Sequence, residues 1–308
     1  MFFESALKGK NAFWRYLIMF VVVFAATNTI GALPLVIVII IKGMNNPEML
    51  ESAGANILDL SAYGIDPNTG LILMLFPFII GILTLYLLMK PLHGRRFISL
   101  FNGGGNVRWK KFFMSALVWL LLMGIYLFFS ILSDPDNFEL NNTSASLIWL
   151  ALIAVLLIPF QTSFEELLFR GYLMQGAGAW FRNKWMPLIL TSLLFGLMHS
   201  FNPEVKDLGF WMMMPQYVIF GLVFGIMTVL DDGIELAMGA HAANNLFLSV
   251  FVTQESSALQ TAALYEQQEV YPWSDFLSLT LISLVFLAVM GILNKWCFTG
   301  IFKINNRS

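Results

Sequence analysis

Long and almost uncharged runs of apolar residues recur along the whole chain, and they limit its fold more than any other feature. A helix needs about 20 apolar residues to cross the roughly 30 Å hydrocarbon core of a bilayer. Barrel strands would instead alternate apolar and polar residues over roughly ten positions, so continuous runs favour helices. The eight candidate spans lie at about 13–41, 70–90, 112–132, 146–175, 186–200, 210–230, 234–254 and 274–296. The sequence therefore predicts an all-α fold, a polytopic membrane helix bundle with about eight transmembrane helices.

The composition excludes a soluble fold. Hydrophobic residues make up 58% of the 308 residues and charged residues only 12%, whereas soluble domains carry roughly 25% charged residues. The net charge of −2 argues against a nucleic-acid partner. The single cysteine, Cys297, excludes an internal disulfide framework and a Cys-rich metal site. With no change in composition along the chain, we expect one membrane domain over residues 1–308, in contact with lipid and of undetermined oligomeric state.

The charges in the loops predict the topology, because Lys and Arg gather on the cytoplasmic side of a membrane. Basic and acidic loops alternate along the chain, which predicts that both termini are cytoplasmic. The short acidic loop at Asp231 and Asp232 is the exception, and we interpret it as a solvated turn. The basic loops and termini carry Lys8, Lys10, Arg15, Arg95, Arg96, Arg108, Lys110, Lys111, Arg182, Lys184, Lys295, Lys303 and Arg307, and the acidic loops carry Glu48, Glu51, Asp59, Asp66, Asp134, Asp136, Glu139, Glu255, Glu266 and Glu269.

Two neighbouring glutamates lie within the fourth predicted span. A charged residue inside a span costs about 2.5–3.5 kcal/mol on insertion scales and usually marks function. Glu166 and Arg170 are four residues apart, so they share a helix face and can pair. Glu165 lies about 100° around the helix. The spacing thus leaves one carboxylate to neutralise the arginine and the other free to face a cavity.

Two of the three histidines also fall within predicted spans. His199 ends the fifth span, and His241 shares a face of the seventh with Asn245, four residues later. At about 1.5 Å of rise per residue, Glu165, His199 and His241 all lie between mid-membrane and the predicted cytoplasmic face. We therefore expect them to meet in one cavity that faces the cytoplasm. His93 lies in a basic loop, and we interpret it as incidental.

These residue types permit two kinds of hydrolysis. A buried glutamate acts as a general base for water when its pKa rises toward neutrality, and the N–H groups of His241 and Asn245 suit an oxyanion. Alternatively, Glu165, His199 and His241 form a common Zn²⁺ ligand set with one open position. The residues alone do not choose between the metal-free and the zinc-dependent reaction.

Three short motifs together resemble one family. They are Glu165-Glu166-x-x-x-Arg170, Phe195-x-x-x-His199 and His241-x-x-x-Asn245, and they are similar in order and spacing to the motifs of the CAAX protease and bacteriocin-processing family (CPBP, or ABI). That family includes the type II CAAX prenyl endopeptidases. The motif-bearing core covers about residues 146–254.

The resemblance implies an intramembrane peptidase whose site is reached from the cytosol. By position, it implies that Glu165 and His199 activate water and that His241 and Asn245 hold the oxyanion. Glu166 and Arg170 would support the site, and Phe195 would shape the pocket. The family is described both as zinc metalloproteases and as metal-free glutamate peptidases, so zinc stays an open alternative.

We therefore predict an intramembrane endopeptidase that hydrolyses membrane-associated or lipidated peptides, in the inner (cytoplasmic) membrane of a bacterium. The main alternative is a non-catalytic member of the same family, acting in bacteriocin self-immunity or as a membrane scaffold. A proton-coupled transporter would also use intramembrane Glu and His residues. It would, however, be expected to show inverted repeats with broken helices, and the sequence shows none.

Overall fold

The computed structural model describes residues 2–45 and 60–297, and helices account for most of them. Two of the long helices contain a π-helical stretch, Thr27–Gly31 in the first and Leu167–Met174 in the other. The α-helices are α1 Glu4–Leu7, α2 Phe13–Asn45, α3 Pro67–His93, α4 Trp109–Ser133, α5 Ser146–Phe181, α6 Trp185–Met198, α7 Pro203–Leu208, α8 Phe210–Asp231, α9 Glu235–Phe251 and α10 Pro272–Leu293. Short 3₁₀ helices cover Leu60–Tyr63, Phe97–Leu100 and Pro135–Asn137.

The predicted helical membrane bundle is confirmed. Within the described residues, six helices are long and apolar enough to cross a membrane, namely α2, α3, α4, α5, α8 and α10. The fifth predicted span corresponds to the shorter apolar helix α6, with 14 residues. The seventh corresponds to α9, whose 17 residues are mostly buried on all sides. A helix that is buried all round belongs to the interior of a bundle, so α9 is its central element.

The outer faces of the long helices are apolar. Soluble monomers rarely expose contiguous apolar patches above a few hundred Å², whereas here the apolar side chains continue from helix to helix. The chain is therefore an integral, multi-pass membrane protein. Side chains more than 40% exposed include Leu83, Leu87, Phe113, Leu117, Leu121, Ile125, Phe128, Leu152, Val155, Leu156, Leu277, Leu281 and Leu284.

The up-and-down order of the helices gives the bundle two ends. At the end that we call the basic end lie residues 2–12 and the loops 94–108, 182–184 and 232–234. There the Lys10 N–H donates to the His93 carbonyl at 2.9 Å, and the Phe2 N–H donates to Asp232 Oδ1 at 2.7 Å. The opposite end, which we call the sheet end, carries residues 60–66, 134–145, 199–209 and 252–271.

A small three-stranded sheet marks the sheet end. Its strands are β1 Phe138–Leu140, β2 Val252–Thr253 and β3 Tyr265–Gln267. The central strand β3 pairs antiparallel with β1 and parallel with β2. Because β2 directly follows α9, the sheet ties the central helix to the loops at this end.

The acidic loop at Asp231 is not a solvated turn, so that interpretation was wrong. Asp231 is only 6% exposed. Its Oδ2 lies 3.0 Å from Arg108 Nη2, and its Oδ1 pairs with Lys111. Glu235, at the start of α9, places its Oε2 2.5 Å from the same Arg108 Nη2. The loop therefore supplies counter-ions to basic residues near the start of α4.

His93 is not incidental either. It is fully buried; its Nδ1 lies 2.7 Å from the Lys10 carbonyl oxygen and its Nε2 2.7 Å from the Tyr172 hydroxyl. The imidazole thus joins the N-terminal segment, α3 and α5. Some of the charged residues used to predict the topology lie outside the described residues, namely Glu48, Glu51 and Asp59 of the first loop and Lys303 and Arg307 of the C-terminal tail. The orientation of the termini stays a prediction.

Close backbone contacts let α9 lie deep in the bundle. A Cβ atom on Gly239 would come 2.1 Å from the Phe112 carbonyl oxygen of α4. Only glycine permits this approach, which is the use that membrane bundles make of small residues at helix interfaces. The contact fixes the distance between α9 and α4, and so the position of His241 two residues further along.

Candidate active site

The buried core of the site is an ion pair within α5. Arg170 and Glu166 are both 0% exposed, and Arg170 Nη1 donates to Glu166 Oε1 at 2.8 Å. The pairing expected from their spacing is confirmed. Arg170 Nη2 also donates to the Gly221 carbonyl of α8 at 3.1 Å, so the guanidinium joins two helices. The π-helical stretch of α5, Leu167–Met174, begins directly after Glu166. Such stretches are frequent at functional sites.

Aromatic rings enclose this ion pair. The Arg170 guanidinium lies 4.5 Å from the centre of the Phe195 ring and 5.5 Å from that of Phe224, where cation–π attraction is favourable. Phe195 also lines the cavity described below. It therefore forms a wall between the buried arginine and the cavity.

His241 lies between the two glutamates. Its Nδ1 is 2.9 Å from Glu166 Oε1, and its Nε2 is 3.6 Å from Glu165 Oε2. The ring stacks on Phe224 with centroids 5.0 Å apart. A hydrogen on Nδ1, donated to Glu166, leaves Nε2 directed at Glu165, because a histidine's tautomer is set by the partner of its other nitrogen.

Glu165 differs from its neighbour in its partners. It is 8% exposed, and its Oε1 accepts a hydrogen bond from Gln161 Nε2 at 2.5 Å. Within the described part of the chain, its Oε2 has no hydrogen-bond partner. One carboxylate oxygen is thus held by Gln161, and the other lies near His241 without a hydrogen bond that would compete with a water molecule.

His199 is oriented by its own helix and by α8. Its Nδ1 lies 2.7 Å from the Phe195 carbonyl oxygen. Its ring stacks on Tyr217 with centroids 4.4 Å apart and 21° between the planes. The carbonyl accepts the Nδ1 hydrogen, so the Nε2 lone pair is free to accept a hydrogen bond.

A chain of hydrogen-bonded side-chain amides fixes the position of Asn245. Asn245 Nδ2 donates to Gln161 Oε1 at 3.0 Å, and Asn244 Nδ2 donates to Asn245 Oδ1 at 3.1 Å. Trp119 Nε1 donates in turn to Asn244 Oδ1 at 3.2 Å. Gln161 therefore connects Asn245 to Glu165. We did not single out Gln161 or Trp119 from the sequence, although Gln161 lies four residues before Glu165 on the same helix face.

One cavity of about 460 Å³ unites these groups. All four residues predicted as catalytic, Glu165, His199, His241 and Asn245, line it, together with Gln161. The structure thus brings together residues from α5, α6 and α9, while their catalytic roles stay predictions. Glu166 and Arg170 lie behind this surface as buried support.

The predicted zinc ligands do not fit one ion in this arrangement. Among the described residues, no group of three or more His, Cys, Asp or Glu side chains is placed to hold one metal. The positions of the three side chains therefore do not support the zinc-dependent alternative.

The cavity opens at the sheet end. Residues of the loops at 201–204 and 254–259 line its outer part, and Glu165, Phe195 and His241 line its inner part. The basic loops lie at the other end of the bundle. Cytoplasmic termini and a cytoplasm-facing cavity, both predicted from the sequence, are therefore incompatible in this fold.

Comparisons with known proteins place the chain in a family. A family model described as type II CAAX prenyl endopeptidase Rce1-like matches residues 144–247, which contain all three motifs. The chain is 30% identical over 259 residues to a protein of Bacillus subtilis (strain 168) named uncharacterized protein YyaK, and the match covers 83% of each chain. No solved structure matches. The chain belongs to the Rce1-like family, whose members resemble the type II CAAX prenyl endopeptidases.

Proposed function

We propose that this chain is an intramembrane endopeptidase that cleaves membrane-associated or lipidated peptides with water activated by Glu165. The observation that carries the proposal is the placement of Glu165 Oε2. This oxygen has no hydrogen-bond partner in the described structure and lies 3.6 Å from His241 Nε2. The Glu165 side chain lines a cavity that His199 and Asn245 also line.

The first step is attack by water on the scissile carbonyl carbon. Glu165 Oε2 takes a proton from the water as the new C–O bond forms, and the carbonyl π electrons move onto the oxygen. His199 Nε2 accepts a hydrogen bond from the other hydrogen of the water, which stays on the oxygen, and so orients the water. Both side chains line the same cavity, which supports this assignment, since general-base catalysis requires the base to lie within reach of the water.

The oxyanion then needs donors. Asn245 Nδ2 carries two hydrogens, of which one goes to Gln161 and the other is available. When His241 is protonated, its Nε2–H is a second donor, and Glu166 stabilises that charge through Nδ1. On collapse of the intermediate the C–N bond breaks, and the leaving amine takes the proton that Glu165 holds. This sequence balances without a covalent enzyme intermediate.

The test compares the wild type with Glu165→Gln in detergent, using a library of membrane-anchored and prenylated peptides. Removing a general base typically costs about 10²–10⁴-fold in rate, so we expect cleavage by the wild type and its near-complete loss in the variant. Glu139→Gln, at an exposed position in β1, is the matched control and should cleave normally. Absence of cleavage by the wild type across the library would contradict the proposal and favour a non-catalytic role.

Zinc and cellular location belong to the same proposal. Repeating the assay with a metal chelator tests zinc. Unchanged cleavage supports the metal-free reaction, and a loss of cleavage that added zinc restores would overturn it. We place the protein in the cytoplasmic membrane of a bacterium. The six apolar helices and the similarity to a Bacillus protein support this location.

A further inference from the structure

The side from which the cavity opens can be related to the membrane through the charges at the two ends. Of the described Lys and Arg residues, only Lys42 and Lys206 belong to the sheet end, and Arg170 lies in the interior. The positive-inside rule thus places the basic end in the cytoplasm. The others, Lys8, Lys10, Arg15, Lys90, Arg95, Arg96, Arg108, Lys110, Lys111, Arg182, Lys184 and Lys295, belong to the basic end.

The mouth of the cavity lies at the opposite end. Phe201, Asn202 and Glu204 line it on one side, and Gln254 and Ser257 on the other. These residues follow α6 and α9, both of which run from the basic end to the sheet end. A cytoplasmic basic end therefore directs the mouth to the extracytoplasmic side.

The mouth of the cavity also contains a buried carboxylate. Glu204 lines the cavity and is only 8% exposed. Its Oε1 accepts hydrogen bonds from the Tyr217 hydroxyl and from Asn202 Nδ2 at 3.2 Å. Its Oε2 has no hydrogen-bond partner among the described residues. A buried carboxylate oxygen without a partner costs free energy that a cationic ligand would recover.

No positive side chain competes with such a ligand. Among the described residues that line the cavity there is no Lys and no Arg, and Phe195 separates Arg170 from it. The sheet end adds further acidic residues, including Asp207 and Glu255. Lys206 belongs to the sheet end but does not line the cavity, so an ammonium or guanidinium group inside the cavity would be attracted to Glu204, whereas a substrate carboxylate would be repelled by it.

We propose that the cavity receives peptide segments from the extracytoplasmic side and favours those with a Lys or Arg near the cleaved bond, whose charge Glu204 binds. This inference rests on the proposed endopeptidase function and names its substrate class. The substrate is an exported or membrane-anchored basic segment, not a free carboxyl terminus.

Cysteine labelling tests the sidedness without any need for activity. In a Cys297→Ser background, Glu255→Cys places a single thiol at the sheet end and Asn106→Cys places one in an exposed loop at the basic end. In intact cells, a membrane-impermeant maleimide should label Glu255→Cys. It should label Asn106→Cys only after the cells are lysed. The reverse pattern would overturn the extracytoplasmic opening and leave the peptidase proposal standing.

Peptide pairs test the charge preference. Peptides that differ only in Lys, norleucine or Glu beside the cleaved bond should show about tenfold better kcat/KM for Lys in the wild type. Glu204→Gln should raise KM for the Lys peptide much more than for the norleucine peptide, so that the preference for Lys falls. The exposed neighbour variant Asp207→Asn should leave the preference intact.

Two outcomes would overturn the role of Glu204. Equal kcat/KM for the Lys and Glu peptides would show that the cavity does not select charge. Equal losses on all peptides in Glu204→Gln would show only a structural role. The binding of fluorescent Lys, norleucine and Glu peptides to Glu165→Gln provides the same comparison without turnover. Absence of cleavage would therefore contradict the proposed function and leave the charge preference to be decided by binding.

Discussion

At the scale of single residues, the adjacent glutamates show how position separates two identical side chains. Glu166 faces Arg170 and His241 and is fully buried. Glu165 faces Gln161 and the cavity. The rotation of about 100° between neighbouring residues on a helix predicts this division. The partner amide, Gln161, was missed because polar residues four positions apart on a helix are common.

Breaking the buried ion pair should destabilise the protein. Arg170→Met leaves Glu166 without its cation, and removing one partner of a buried pair costs about 3–5 kcal/mol. We expect a large fall in the melting temperature of the detergent-purified variant. The cost should be smaller in the double variant Glu166→Gln with Arg170→Met, which leaves no unpaired charge. An unchanged melting temperature in Arg170→Met would contradict this account of the pair.

Asn245 should act on the transition state more than on binding. Loss of one oxyanion donor costs about 10²–10³ in kcat, so we expect Asn245→Ala to lower kcat with little change in KM. Steady-state kinetics on a cleaved peptide measure this division. Asn106→Ala, in an exposed loop, is the control. A rise in KM alone would assign Asn245 to substrate binding instead.

At the scale of elements, α9 shows why hydropathy alone describes the bundle incompletely. It carries Glu235, His241, Asn244 and Asn245, and it is not among the helices that qualify as membrane spans by length and composition. It was nevertheless predictable, because its small residues and the spacing of His241 and Asn245 indicate a helix packed on all sides. Its polar groups are satisfied by neighbouring helices, as the interior of a membrane protein requires.

The close approach of α9 to α4 makes Gly239 sensitive to substitution. In Gly239→Ala the new Cβ would clash with the Phe112 carbonyl, and overpacking typically costs about 1–3 kcal/mol. We expect a lower melting temperature and reduced cleavage. Gly124→Ala in α4, where a Cβ meets no atom within 4 Å, should be neutral or slightly stabilising. Equal effects of the two substitutions would contradict the packing argument.

Contacts between elements explain most of what the sequence did not reveal. Tyr217 of α8 stacks on His199 and donates to Glu204 of α7. No helical or strand spacing connects residues across a loop, so neither residue was singled out. Asp231 was interpreted as solvated for the same reason, since its partners Arg108 and Lys111 lie more than a hundred positions away in the sequence.

At the scale of the whole molecule, the bundle has a basic end and a sheet end, and the loops that line the outer part of its cavity belong to the sheet end. The order of the helices was predictable from hydropathy, and the alternation of basic and acidic loops could be read from the sequence. The direction of the opening was not, because it depends on how the loops after α6 and α9 pack together at one end of the bundle, and sequence spacing does not show such contacts. Helix α6 ends at Met198, and the loop after it forms one side of the mouth.

The most direct test of the account is the ratio of kcat/KM for wild type and Glu165→Gln on one cleaved peptide in the same vesicles. The account predicts a ratio of about 10² or more, with normal folding of the variant by melting temperature. A ratio near one, with a well-folded variant, would show that Glu165 is not the base and that the cavity does not perform the proposed reaction.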